Sequence, residues 1–325
     1  MNRRDFLKAG ALAAAGTVAS GAVASGAATS GAVTSRTAAS GTIREDGADG
    51  TGKVASPIPG RLPGSKLKLS CAAYSFRDLL RGDPPRMTLE DFVDFCARER
   101  LDATELTSYY FRRTDGEYLR SLRRRAYVNG LDISGTPVGN DFCLPPGPAR
   151  EQEIHKVKEW IDRVSMLGSQ TIRVFAGRVP RGGDEAEARS RAVEGLKEVS
   201  EYAGERGILL ALENHGGITA TAAQLLDLVR RTDSPWLGVN LDTGNFHQDV
   251  YESLEKAAPH AVAVQVKAKV KERNRPAEET DYRRVVSILR KSGYRGYVAL
   301  EYEAGGDVLT AVREHLGKLR EAIEG

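Results

Sequence analysis

The chain has 325 residues, of which 41% are hydrophobic and 28% are charged, as is typical of a soluble globular protein with one large domain or two small ones. Lys and Arg number 47 against 44 Asp and Glu, so the formal net charge is only +3. This balance offers no broad electrostatic grip on nucleic acid or an anionic membrane, and we predict neither as a partner. The cysteines, Cys71, Cys96 and Cys143, are too few for a disulfide scaffold or a Cys-rich zinc site; a single disulfide stays open.

The first residues predict an export signal. Residues 2–8 read Asn-Arg-Arg-Asp-Phe-Leu-Lys, and the apolar run Ala9–Ala15 and several small residues follow. The string Arg-Arg-x-Phe-Leu-Lys resembles the twin-arginine export signal. Because the apolar run is far shorter than the about 20 residues that span a bilayer, we expect no stable membrane anchor. We therefore assign residues 1–28 to a signal read by the twin-arginine machinery, and expect an exported, periplasmic or extracytoplasmic protein.

The next segment predicts a linker. Between Ala13 and Arg61 there is no Leu, Met or aromatic residue, and Ala, Gly, Ser and Thr dominate. Such a stretch cannot bury enough apolar surface to offset the entropy lost on ordering it. We expect residues 29–65 to form a flexible linker that contributes nothing to the fold, and residues 66–325 to form the folded domain.

From Leu67 onward, short β-rich runs alternate with longer runs of helical period. Eight strand–helix units over about 260 residues match a (β/α)8 TIM barrel in number and size. The competing fold, a doubly wound open sheet, would normally carry a Gly-rich phosphate-binding turn after its first strand, where this chain reads Tyr-Ser-Phe-Arg. The predicted strands are Leu67–Tyr74, Ala103–Leu106, Asp132–Thr136, Thr171–Phe175, Leu209–Glu213, Gly238–Leu241, Ala261–Val266 and Tyr297–Glu301.

Polar residues cluster at the ends of the predicted strands, where TIM barrels place their active sites. Acidic residues Glu213, Asp242 and Glu301 close strands five, six and eight, and Gln265 offers an amide oxygen on strand seven. Three carboxylates at one barrel mouth would repel each other unless a cation neutralised them. Because strand-end acids also cap helices, the spacing alone leaves a metal site and a structural role equally open.

Four strings in this region resemble the xylose-isomerase-like TIM-barrel family. They are LALENHGG at 210–217, NLDTGNF at 240–246, VQVK at 264–267 and ALEYE at 299–303. The resemblance extends from about residue 67 to residue 325. The family contains sugar-phosphate isomerases and epimerases, ketose 3-epimerases, inosose dehydratases and endonuclease IV. The last of these needs more His and Asp ligands than the chain places at its strand ends.

The resemblance implies one divalent metal ion, bound by Glu213, Asp242, Gln265 and Glu301. In most members a His stands at the position of Gln265, and many epimerases have a His at the position of Asn245. Because an amide oxygen is a weaker donor than imidazole, we expect Mn²⁺ or Mg²⁺, with Co²⁺ or Zn²⁺ left open. The resemblance also implies that Glu213 and Glu301 exchange protons at a carbon beside a carbonyl, which the metal ion makes more acidic.

Further residues are predicted to contact substrate. Lys267 and Lys269 alternate with Gln265 if their strand is regular, and could hold an oxyanion or a phosphate. Glu303 competes with Glu301 because the two share a strand face, and the family resemblance favours Glu301. For Glu105 a cap or a salt bridge is an equal alternative. The predicted substrate-binding set is Glu105, Asn214, His215, Asn245, Lys267 and Lys269.

These observations together predict a divalent-metal-dependent sugar isomerase or epimerase acting on a small carbohydrate. One alternative is a lyase or dehydratase that eliminates a group from a 3-keto-glycoside or an inosose with the same site. A second alternative is a non-catalytic sugar-binding barrel. A homo-oligomer is left open. Since phosphorylated sugars are scarce outside the cytoplasm, the predicted export favours an unphosphorylated substrate.

Overall fold

Eight parallel strands close into a barrel in the computed structural model, which describes residues 57–325. The first strand pairs with both the second and the last, so the sheet has no free edge and the TIM-barrel prediction is confirmed. The barrel strands are β1 (Lys66–Ala72), β2 (Ala103–Glu105), β3 (Asp132–Pro137), β4 (Thr171–Val174), β5 (Leu209–Glu213), β6 (Leu237–Asp242), β7 (Ala261–Lys267) and β10 (Arg295–Glu301). A short antiparallel ladder of β8 (Lys269–Val270) and β9 (Glu278–Glu279) lies between β7 and β10 in the chain.

Amphipathic helices follow the strands and bury one face against the barrel. The longer helices are α2 (Leu89–Arg98), α3 (Gly116–Val128), α4 (Pro148–Leu167), α5 (Glu185–Gly204), α6 (Ala222–Thr232), α7 (Val250–Ala257), α8 (Tyr282–Lys291) and α9 (Val308–Glu324); α1 (Arg77–Leu80) is one turn. Their ends follow local chemistry: Thr88 caps α2 through a capping box with Asp91, and Gly168 ends α4 in the left-handed conformation at φ +78°.

The first strand ends earlier than its sequence predicts. We expected it to run to Tyr74, but β1 ends at Ala72 and a 3-10 helix, Ala73–Phe76, follows. The Ser75 hydroxyl donates to the carbonyl oxygen of Leu300 at 3.2 Å and accepts from the amide of Tyr302 at 2.9 Å. These bonds to the end of β10 turn the chain at the barrel mouth.

The N-terminal prediction is only partly within the described residues. The signal at 1–28 and most of the linker lie outside them. Within 57–65, Arg61 donates from Nη1 to the carbonyl oxygen of Pro259 at 3.0 Å and from Nη2 to that of Ala261 at 2.5 Å. Arg61, which the prediction assigns to the linker, therefore contacts the barrel, and the boundary between linker and folded domain stays a prediction.

Two further structural facts bear on the sequence predictions. Within residues 57–325 no helix is both long and apolar enough to cross a bilayer. All three cysteines are buried and free, so the single disulfide left open by the sequence is not formed.

Candidate active site

The parallel register brings the predicted strand-end residues to one mouth of the barrel. Asp242 pairs with Gln265 across β6 and β7, and Glu301 pairs with Lys267 across β10 and β7. We call the acids gathered here the carboxylate cluster. Its members are Glu105, Glu213, Asp242 and Glu301, which are buried, and Glu303, whose side chain is 39% exposed.

Glu213 forms a buried ion pair with Arg173 of β4. The Nε of Arg173 lies 2.8 Å from Oε2 of Glu213, while its Nη1 donates to the carbonyl oxygen of Val138 at 3.0 Å. The guanidinium also stacks 4.1 Å from the ring centre of Phe175. The contact with Glu213 is ionic without hydrogen-bond geometry, so Oε2 has no hydrogen-bond donor. The Oε1 atom of Glu213 accepts from Nδ2 of Asn245 at 2.8 Å.

Arg173 is not among the site residues predicted from the sequence. A signal for it exists, because Arg173 is the only charged residue in the four-residue strand β4 and that strand is buried throughout. Long charged side chains are almost never fully buried without a partner, which makes such a position a candidate functional residue.

Lys267 lies among three other acids. Its Nζ is 3.4 Å from Oδ2 of Asp242, 3.2 Å from Oε2 of Glu301 and 2.5 Å from Oε2 of Glu303. Although burial lowers the pKa of Lys267, the charges of these three carboxylates hold that pKa above its ordinary value, so the side chain stays a cation. The residue predicted to hold substrate therefore contacts the carboxylate cluster itself.

Gln265 joins two strands through its amide. Its Nε2 donates to Oε1 of Glu105 at 2.7 Å, and its Oε1 accepts from Nδ2 of Asn240 at 2.7 Å. The bond to Glu105 fixes which way the amide points, and a carbonyl oxygen keeps a second lone pair after one hydrogen bond. Glu105, predicted to contact substrate, thus holds Gln265 in place.

Three other predicted substrate residues have different positions. Asn214 is fully buried and exchanges two hydrogen bonds with the backbone of Asp242, each of 2.9 Å, so it joins β5 to β6. His215 is exposed, stacks 4.4 Å from Phe175 and lines a cavity of 260 Å³ with it beside the mouth. Lys269 does not continue the alternation expected after Gln265 and Lys267: because β7 ends at Lys267, Lys269 lies exposed on the β8–β9 ladder.

Burial raises the pKa of every buried acid in the cluster. The pKa is about 8 for Glu105 and about 7 for Glu213 and Glu301, and it is about 6 for Asp242. Neighbouring carboxylates raise these pKa values further, while the charges of Arg173 and Lys267 oppose the shift. With all five acids ionised, the carboxylate cluster together with the cations Arg173 and Lys267 carries a net charge of −3. Burying this net charge costs free energy.

Comparison with known proteins assigns the chain to a family. The family model described as "Xylose isomerase-like TIM barrel" matches residues 91–322. The chain belongs to this family. A protein of Xenopus laevis provisionally named a hydroxypyruvate isomerase is 27% identical over 203 residues, which cover 55% of this chain and 72% of that protein.

Solved structures show the same fold at low identity. A crystal structure of D-psicose 3-epimerase in the presence of D-fructose matches with a TM-score of 0.65 at 16% identity, covering 79% of this chain and 97% of that one. The IOLI protein, whose structure contains a bound zinc atom, matches with a TM-score of 0.63 at 18% identity, covering 78% and 96%. At these identities the likeness shows only that this xylose-isomerase-like chain has the same barrel fold as the two structures.

The oxygen atoms that this family member places at its barrel mouth have the chemistry that a divalent cation requires of its ligands. Asp242 Oδ2 and Glu213 Oε2 are buried oxygens that accept no hydrogen bond from residues 57–325, although each is in ionic contact with a cation, and the cluster has an excess of negative charge. Oxygen donors and unbalanced charge are what Mg²⁺ or Mn²⁺ binds. The four predicted ligands do not converge as they stand, however: no three His, Cys, Asp or Glu side chains in residues 57–325 are placed to share an ion. The Lys267 ammonium contacts two of the predicted ligands instead.

The raised pKa values predict a pH-dependent stability difference between the wild type and Glu301→Gln. Since the pKa of Glu301 is about 7 in the folded protein against an ordinary 4.5, the folded state binds more protons between these values, and ionisation destabilises the fold as pH rises. We expect Glu301→Gln to match the wild type at pH 5 and to be more stable at pH 8 by up to about 3 kcal/mol. Urea unfolding of chelator-treated protein measures this.

The exposed Glu198→Gln serves as the control for that measurement, since its side chain is half-exposed on α5. The difference between variants also removes the opposite contribution of His215, His260 and His315, whose pKa values burial lowers. A stability difference that stays constant from pH 5 to pH 8 would contradict the raised pKa of Glu301.

Proposed function

We propose that this protein is a divalent-metal-dependent carbohydrate isomerase or epimerase that moves a proton at a carbon beside a carbonyl. The observation that carries the proposal is the pair Glu213 and Glu301, two buried carboxyl groups that the non-adjacent strands β5 and β10 present at one barrel mouth. General acid–base catalysis requires a positioned side chain that can take up and return the proton at the reacting carbon. Family membership and the relatives named above support the same reaction class.

The surroundings of Glu213 suit it to accept a proton. Asn245 donates to Oε1, which orients the carboxylate, and Oε2 lies 2.8 Å from Nε of Arg173. Arg173 favours the ionised form of Glu213 against the effect of burial. Glu301, on a strand that is not adjacent to β5 in the barrel, would return the proton to the opposite face or to the neighbouring carbon.

The metal ion of this proposal would be held by Glu213, Asp242, Gln265 and Glu301. When bound, a divalent ion polarises a carbonyl oxygen and so makes the adjacent C–H more acidic. Within the chain itself, Glu105 positions the amide of Gln265, and Asn214 holds β5 and β6 together beside Asp242. These contacts fix the strands that present the donors.

Activity in the presence and absence of metal tests the proposal. The substrates are hydroxypyruvate, D-fructose and D-psicose, chosen without phosphate because we expect an exported protein. We expect turnover of at least one with Mn²⁺ or Mg²⁺, its loss by at least a hundredfold after chelation, and its return on adding the ion, since the ion is needed to acidify the C–H.

Product analysis by NMR separates the proposed reaction from its alternatives. An isomer or epimer has the composition of its substrate, whereas a 3-keto-glycoside processed by a lyase releases its leaving group. Metal-independent turnover would contradict the metal requirement. Sugar binding in calorimetry without any turnover would favour a non-catalytic barrel.

A further inference from the structure

Lys267 contacts predicted metal ligands and one other acid at the same time. Its Nζ lies 3.4 Å from Asp242 and 3.2 Å from Glu301, both in the predicted ligand set. The shortest contact, 2.5 Å, is to Glu303, which is outside that set. Asp242 is fully buried, whereas the Glu303 side chain is 39% exposed and lies two residues beyond the end of β10. The ammonium thus bridges the interior of the cluster and its outer edge.

The backbone holds the base of Lys267 and leaves its tip able to pivot. The Lys267 amide donates to Oγ1 of Thr243 at 3.0 Å. A Cβ added at Gly244 would lie 2.5 Å from Cγ of Lys267 and 2.9 Å from its Cβ, so only a glycine leaves room for the stem. Beyond this anchored base, the flexible four-carbon side chain of lysine allows the ammonium to move among the acids it contacts.

We propose that Lys267 is a built-in counter-cation that competes with the divalent ion for Asp242 and Glu301, and that Glu303 retains its ammonium at the pocket edge when the ion binds. This inference rests on the metal site of the proposed function. A divalent ion bound through Oδ2 of Asp242 and Oε2 of Glu301 would lie against the Lys267 ammonium, and the two positive charges would repel each other at that distance. Before metal binds, Lys267 partly neutralises acids that would otherwise be buried without a partner.

The proposal makes opposite predictions for the two partners. Replacing Lys267 by Met removes the competitor, so the affinity for the ion rises. Replacing Glu303 by Gln removes the acid that retains the ammonium at the edge, so Lys267 stays on Asp242 and Glu301 and the affinity falls. Glu303→Gln also removes a negative charge that would attract the ion directly, and a double-mutant cycle separates the two effects. If Glu303 acts through Lys267, its effect disappears in the Lys267→Met background.

Calorimetric titration of Mn²⁺ into the chelator-treated full chain measures these affinities. We expect at least tenfold tighter binding for Lys267→Met, at least threefold weaker binding for Glu303→Gln, and less than a twofold effect of Glu303→Gln in the Lys267→Met background. Lys256→Met is the matched control, since Lys256 is exposed and pairs with Glu252 on α7, and its affinity should equal that of the wild type.

The outcomes distinguish this inference from the proposed function. Wild-type metal binding with unchanged or weaker binding by Lys267→Met overturns the competition and leaves the metal site standing. Absence of binding in every variant overturns both. If Lys267→Met does not fold, Lys267→Gln takes its place in the double-mutant cycle, and the same outcomes decide.

Discussion

Replacing Arg173 by Met should lower the free energy of unfolding by about 3 kcal/mol or more at pH 8. The guanidinium is buried 2.8 Å from Glu213, so its removal leaves a buried carboxylate with the Asn245 hydrogen bond but without a cation in contact. At pH 5 Glu213 can instead be protonated, because its pKa is about 7 even with Arg173 present, and the loss should be smaller. Urea unfolding at the two pH values measures both losses.

A double variant and a control outside the carboxylate cluster sharpen this prediction. Adding Glu213→Gln to Arg173→Met removes the unpaired charge and should restore part of the lost stability at pH 8. Arg163→Met is the control, since Arg163 stacks on Trp160 of the same helix and is not part of the cluster. Strictly additive losses in the double variant would show that Arg173 does not stabilise Glu213.

Glu213→Gln and Glu301→Gln should each lower kcat by about a thousandfold on any substrate the wild type turns over. An amide of the same shape keeps the packing but cannot take up or return a proton at neutral pH. Because the two residues act on successive steps of one proton transfer, the double variant should be little worse than either single variant. Steady-state kinetics with the same ion in every assay measure this.

The half-exposed Glu198→Gln should leave kcat unchanged, and the circular dichroism spectrum of each variant should match that of the wild type. A variant at Glu213 or Glu301 that keeps more than a tenth of the wild-type kcat would remove that residue from the catalytic pair.

The barrel was predictable from the sequence because its signals are local. Strand β5 has the predicted bounds, since its apolar residues and the acid at its end are encoded within a few residues. The placement of Glu213, Asp242 and Glu301 at one mouth follows from parallel strands that all end at the same rim.

The pairing of charges within that mouth was not predictable in this way. Arg173 contacts Glu213 from the adjacent strand, and Lys267 contacts Asp242 and Glu301 from the strand between them, so each contact depends on strand order and on the register between neighbouring strands. Sequence spacing indicates which residues reach the mouth but not which cation lies against which acid. The end of β7 at Lys267, which leaves Lys269 outside the row expected with Gln265 and Lys267, likewise depends on tertiary contacts.

Exchange of solvent deuterium into substrate tests the central claim, that a proton moves between carboxyl groups at this barrel mouth. With Mg²⁺ in D₂O, NMR should show wild-type protein replacing the hydrogen on the carbon beside the carbonyl with deuterium during turnover, while Glu213→Gln and Glu301→Gln should exchange it far more slowly. Turnover that carries the original hydrogen quantitatively into product, or exchange at wild-type rate in both variants, would contradict the account.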